Sequence, residues 1–178
     1  DLANDVHVRP VLAGGNRLTV DLLERHGGPF DMAVLVALGP TEPKGSPPET
    51  EDHVFDQAEV ASVKDLESEK FWKLLKSVSR NTLAEIFGAE LTARSKGCTV
   101  DEKAGAASLG CLLPATAPEV FVSWGKVRAR VSDGVLSADL SVTDLRFYED
   151  DQQTPRVKVV DDVQRRIKDS AASLPPAK

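Results

Sequence analysis

Hydrophobic and polar residues alternate near the start of the chain. Val6, Val8 and Val11 flank Arg9-Pro10, and Leu18, Val20 and Leu22 alternate with Thr19 and Asp21. A repeat of two predicts half-buried strands. Gly14-Gly15-Asn16 reads as the turn between them, and Gly27-Gly28-Pro29 breaks the chain again. Met32 to Leu38 is a nearly continuous apolar run, which predicts a strand buried on both faces. Gly39 to Thr50 holds four prolines and two glycines and predicts an exposed loop.

The repeat then changes. Val63, Leu66, Phe71, Leu74, Leu75 and Val78 fall near a 3.6-residue spacing, with Ser62 and Asp65 placed as a capping box, so a helix is expected over Val63 to Val78. Phe71 and Trp72 are expected in its core. A second, short helix is expected from Leu83 to Phe87, capped by Asn81 or Thr82 and stopped by Gly88. Ala93 to Ala107 reads as a loop and Ser108 to Leu113 as a short strand. Val157 to Val160 reads as a further strand, after which Asp161 caps a helix carrying Val163, Ile167 and Leu174. Residues 174–178 form a frayed tail. No internal repeat is present.

Between Glu119 and Tyr148 the pattern is that of one long β-hairpin. Asp133-Gly134 between alternating runs is the strongest short-range hairpin signal. Taking those two as the loop sets Val131 against Leu136, Ala129 against Ala138 and Val127 against Leu140 on one face. Arg130 then opposes Ser137, Arg128 opposes Asp139 and Lys126 opposes Ser141 on the other. Farther out, the polarity inverts in both strands near Gly125 and Val142. Either a sharp bend at Gly125 or two halves covering different hydrophobic layers accounts for that inversion, and both suit a small, strongly curved barrel.

The 178 residues, 41% hydrophobic, suffice for a single compact unit, or for two small barrels sharing one core. No stretch approaches the roughly 20 apolar residues that span a bilayer, so no membrane partner is expected. The N-terminal residues are neither a signal nor a transit peptide, and the absence of an initial Met fits a fragment of something longer. Two cysteines, Cys98 and Cys111, make no disulfide framework and read as half-buried thiols of a reducing, cytoplasmic compartment. A net charge of −6 argues against wholesale coating of nucleic acid, though not against a local basic row.

Such a row exists. Lys126, Arg128 and Arg130 share one face of the hairpin, with Trp124 beside them, a combination able to track a phosphate backbone while an aromatic ring stacks a base. The alternative is a solvated strand face with Arg128 paired to Asp139. Glu51-Asp52-His53 offers a carboxylate beside an imidazole, but neighbours on a strand point to opposite faces. Phosphate-binding glycine patterns, nucleophile elbows and metal-ligand spacings are missing, and His7, His26 and His53 are scattered. No cofactor or metal is therefore expected.

Several of these segments together resemble the dual OB-containing domains of bacterial proteins, often associated with genome-conflict or defence systems. They are Val8-Arg9-Pro10-Val11, Glu51-Asp52-His53, Phe71-Trp72, Ser108-Leu109-Gly110 and Val142-Thr143-Asp144-Leu145-Arg146-Phe147. The resemblance implies two small β-barrels and a nucleic-acid or nucleotide-related role, with no catalytic residues to carry over. The expectation is an α+β, β-rich fold of small OB-like barrels with a long bent hairpin and two or three helices. The expected role is that of a non-enzymatic module contacting single-stranded nucleic acid or a nucleotide through Trp124, Lys126, Arg128 and Arg130. The alternatives are a protein-interaction domain whose acidic surface meets a basic partner, and a hydrolase using Asp52 and His53.

Overall fold

A computed structural model describes residues 7–13, 18–88, 90–94, 97–101 and 103–173. In chain order it has strands β1 (Arg9–Leu12), β2 (Val34–Ala37), β3 (Glu42–Pro43), β4 (Asp52–Phe55) and β5 (Ala61–Asp65), then helix α1 (Ser68–Val78), β6 (Ser79–Arg80) and α2 (Leu83–Phe87). There follow β7 (Thr92–Arg94), β8 (Gly97–Thr99), β9 (Cys111–Leu112), β10 (Glu119–Ser123), β11 (Lys126–Ser132), β12 (Ser137–Ser141) and α3 (Val157–Ser173). The fold is α+β, and among the described residues its sheets have two or three strands and none closes into a barrel. Among the described residues no helix is long and apolar enough to cross a membrane. The chain divides into two compact units, residues 1–91 with 100–113, and residues 92–99 with 114–178.

In the first unit β4 is central, parallel to β1 and antiparallel to β3. Leu22, Phe55, Leu83 and Ile86 are buried, and the Phe30 ring meets Phe55 edge-on at 6.2 Å. Helix α2 forms as expected. The Thr82 hydroxyl accepts from Glu85 N, the Glu85 carboxylate accepts from Thr82 N, and Gly88 ends the helix at φ 100°.

Four expectations are corrected here. Ala61–Asp65 is a strand paired with β2, with a bulge at Leu35/Val36, so α1 starts only at Ser68 and no Ser62/Asp65 box forms. Val63, 57% exposed, is the extra residue left unpaired at that bulge, and its β-branched side chain suits extended backbone better than a helix interior. Strand β2 is half-buried rather than covered on both faces, and Met32 before it is exposed. Val20–Leu22 and Glu24–His26 are 3-10 turns, because Leu22 N and Leu23 N bond back to Thr19 O and Val20 O instead of to a ladder. Trp72 is 59% exposed and only Phe71 beside it is half-buried. The Gly14-Gly15-Asn16 turn and the tail at 174–178 lie outside the described residues.

In the second unit β10, β11 and β12 make an antiparallel meander, and α3 packs on one side of it. Val120, Val127, Tyr148 and Val160 form the buried core, with Ala129, Val142, Val163 and Ile167 against it. Val160, Val163 and Ile167 recur at helical spacing, so the turn containing Val157–Val160 belongs to α3 and is not a strand. Thr92–Arg94 and Gly97–Thr99, expected as loop, form a small hairpin held across by Arg94 Nε donating to Thr99 Oγ1 at 3.2 Å.

The expected long hairpin is two hairpins. Trp124 (φ 52°) and Gly125 (φ 68°) are both left-handed, which makes them a two-residue turn, and Ser123 pairs with Lys126. Strand β10 therefore folds back on β11 instead of running on to meet 144–148, where Leu145–Phe147 is a 3-10 turn. The inverted polarity marks a chain reversal, not a bent ribbon. At the other end the loop is larger than Asp133-Gly134. The Asp133 carboxylate accepts from Val135 N at 2.8 Å and Leu136 N at 2.6 Å, so Ser132 pairs with Ser137. Cross-strand partners shift by two residues while the faces stay as counted: Val131 meets Ala138, Arg130 meets Asp139 and Arg128 meets Ser141.

One rung of this sheet is completed by a side chain. Val142 N donates to Val127 O at 3.0 Å, but the reciprocal bond runs through Tyr148, whose hydroxyl accepts from Val127 N at 3.1 Å and donates to Val142 O at 2.9 Å. The ring ties the segment after β12 to the core while satisfying a wholly buried amide.

Candidate functional site

Because side chains alternate along a strand, burial of Val120, Val127 and Ala129 against α3 places Phe121, Lys126, Arg128 and Arg130 together on the opposite face. Phe121 and Arg128 are direct cross-strand partners, and Arg128 is in turn opposite Ser141 on β12. Lys126 and Ser123 form the rung nearest the Trp124-Gly125 turn. From turn to base the face reads Trp124, then Lys126 with Ser123, then Arg128 with Phe121, then Arg130 with Glu119.

The three cations are in different electrostatic states. Arg130 donates from Nε and Nη2 to the two carboxylate oxygens of Asp139, at 2.7 and 3.1 Å, and from Nη1 to Glu119 Oε2 at 3.0 Å. Asp139 and, after it, Glu119 hold the guanidinium's pKa above its ordinary value. Its carbon also lies 5.3 Å from the centre of the Phe121 ring. Arg128 instead donates to neutral acceptors, Ser141 Oγ at 2.7 Å and the backbone carbonyl of Asp139 at 2.6 Å. Neither Arg128 nor Lys126 forms a salt bridge with a carboxylate among the described residues, so both keep a charge that a phosphate could answer.

Trp124 is 96% exposed. A left-handed backbone costs a non-glycine residue about 1–2 kcal/mol, and no packing of the indole offsets that cost. The sequence pattern placed Trp124 in the strand; the structure places it at the tip of a turn. Phe121 was missed, because its polar-face position shows only once β10 is known to pair with β11.

Asp52 and His53, on β4 of the first unit, do not act on each other. The Asp52 carboxylate accepts from Arg9 Nε on β1, which raises the Arg9 pKa, while His53 Nδ1 lies 3.2 Å from Thr41 Oγ1. A carboxylate held by a guanidinium on one side of a strand cannot orient an imidazole on the other. Glu51 next to them is buried and structural. Its oxygens accept from Ser108 N and Leu109 N at 3.0 and 3.3 Å and from the Ser108 hydroxyl at 3.1 Å. Cys98 and Cys111 are free and half-buried, and burial raises the pKa of both. Among the described residues no three His, Cys, Asp or Glu side chains come together as a metal-holding group. Comparison with known proteins finds no matching family model, no similar curated protein and no similar solved structure.

Proposed function

We propose that the second unit is a non-enzymatic binding module that takes a single-stranded nucleic acid or a nucleotide on the outer face of β10, β11 and β12. The observation that carries the reading is Trp124: an indole displayed in solvent on a costly backbone, next to two cations not neutralised by carboxylates. Trp124 stacks a base, and Lys126 and Arg128 meet the adjoining phosphates. The resemblance to dual OB-containing proteins points to the same class of ligand, carried here by an open three-stranded sheet and not by a barrel. Arg130 is reassigned on this reading, because two carboxylates already answer its charge.

The test is fluorescence anisotropy with a labelled oligothymidylate. Two phosphate contacts give a slope of log K against log salt of about −1.4. Lys126→Glu/Arg128→Glu is expected to weaken binding at least tenfold at low salt. Equal affinity for the parent and the double variant refutes the proposal. A second reading, a protein-interaction domain, is favoured by the net charge of −6 and by the exposed Trp72 on α1. It predicts a partner captured equally well by the double variant.

A further inference from the structure

A guanidinium can serve a nucleic acid in two ways, as a phosphate fork or as a flat surface for a base. The surroundings of Arg130 separate them. Three of its five N–H donors are taken by Asp139 and Glu119, so the charge of this group of three side chains is −1 and a phosphate gains nothing by approaching it. What remains is the plane. One side lies over Phe121, and the side chain is 51% exposed. Asp139 from β12 and Glu119 from β10 grip the group from both neighbouring strands, which fixes its orientation.

We infer that Arg130, backed by Phe121 and clamped by Asp139 and Glu119, is a stacking surface for a second nucleobase and not a phosphate contact. The inference rests on the nucleic-acid reading above and deepens it. Trp124 and Arg130 then hold bases at the two ends of a strip whose middle, Lys126 and Arg128, holds the backbone. The ligand is a strand of at least three nucleotides with unpaired bases, rather than a mononucleotide.

Arg130→Lys keeps the charge and removes the plane. It is expected to weaken oligothymidylate binding about fivefold or more, with the salt slope unchanged. It should leave the binding of an abasic oligodeoxyribose phosphate of the same length as it was. Asp139→Asn/Glu119→Gln does the reverse: with both carboxylate charges gone it frees the guanidinium for phosphate and steepens the slope by about 0.7. Parent affinity in Arg130→Lys overturns the inference, as does a slope in that variant shallower by about 0.7. If Arg130→Lys fails to fold by circular dichroism, Asp139→Asn/Glu119→Gln decides alone: a steeper slope supports the inference and an unchanged one overturns it. A parent protein that binds no oligonucleotide fails the underlying reading instead, and is told apart by that first titration.

Discussion

Replacing Tyr148 with Phe removes one oxygen and leaves the ring in place, which isolates the hydroxyl that bridges Val127 N and Val142 O. Each intramolecular hydrogen bond contributes about 1 kcal/mol net, and a buried donor left without a partner costs about 1–3 kcal/mol. Val127 is wholly buried, so water cannot take over from the hydroxyl without the sheet opening. The partial escape is for Val127 N to bond Val142 O directly, which would require this rung to close into the space the oxygen leaves. Weighing the two gives a loss of about 2 kcal/mol. Urea denaturation followed by circular dichroism measures it, and amide hydrogen exchange locates it, because the Val127 amide should lose protection first. A loss below about 0.5 kcal/mol, with Val127 protection unchanged, would show that the hydroxyl does not complete the sheet.

Glu51→Ala should cost roughly 2–3 kcal/mol, because the backbone amides of Ser108 and Leu109 lose their acceptor. Glu51→Gln, which keeps one acceptor oxygen, should cost about 1 kcal/mol, and equal denaturation midpoints for the two variants would contradict that account. Both thiols have raised pKa values, so they remain protonated at neutral pH and the thiolate fraction rises only at higher pH than for an ordinary cysteine. Alkylation by iodoacetamide at pH 7.5 should therefore be slower than for a free thiol and climb through pH 9. A plateau below pH 8 would show that burial is not what controls them.

The parts of the fold that could be read from the chain are those whose causes are local. Thr82, Glu85 and Gly88 specify α2 within seven residues, and strict alternation specifies which side chains of β11 share a face. What escaped was set by partners distant in sequence or by turn chemistry that composition disguises. Ala61–Asp65 resembles a helix start until β2 is there to pair with it. Trp124 is an unusual first residue for a left-handed turn, so the hairpin it makes with Gly125 looked like a kink in a longer one. Asp133 enlarged the second loop by accepting two amides, which moved Asp139 from Arg128 to Arg130. That last shift decides the candidate site, since it determines which arginine keeps a charge to offer. The row Lys126, Arg128 and Arg130 was legible; the division of labour within it was not.

Trp124 is central to the proposed function and can be made its own reporter. The chain has two tryptophans, so Trp72→Phe leaves Trp124 as the single tryptophan, read selectively by excitation at the red edge of indole absorption. Titrating that variant with oligothymidylate at low salt, the account predicts saturable quenching of Trp124 emission that weakens as salt is raised, with a log–log slope near −1.4. Emission that stays constant up to an oligonucleotide concentration of about 1 mM, or quenching indifferent to salt, would contradict it.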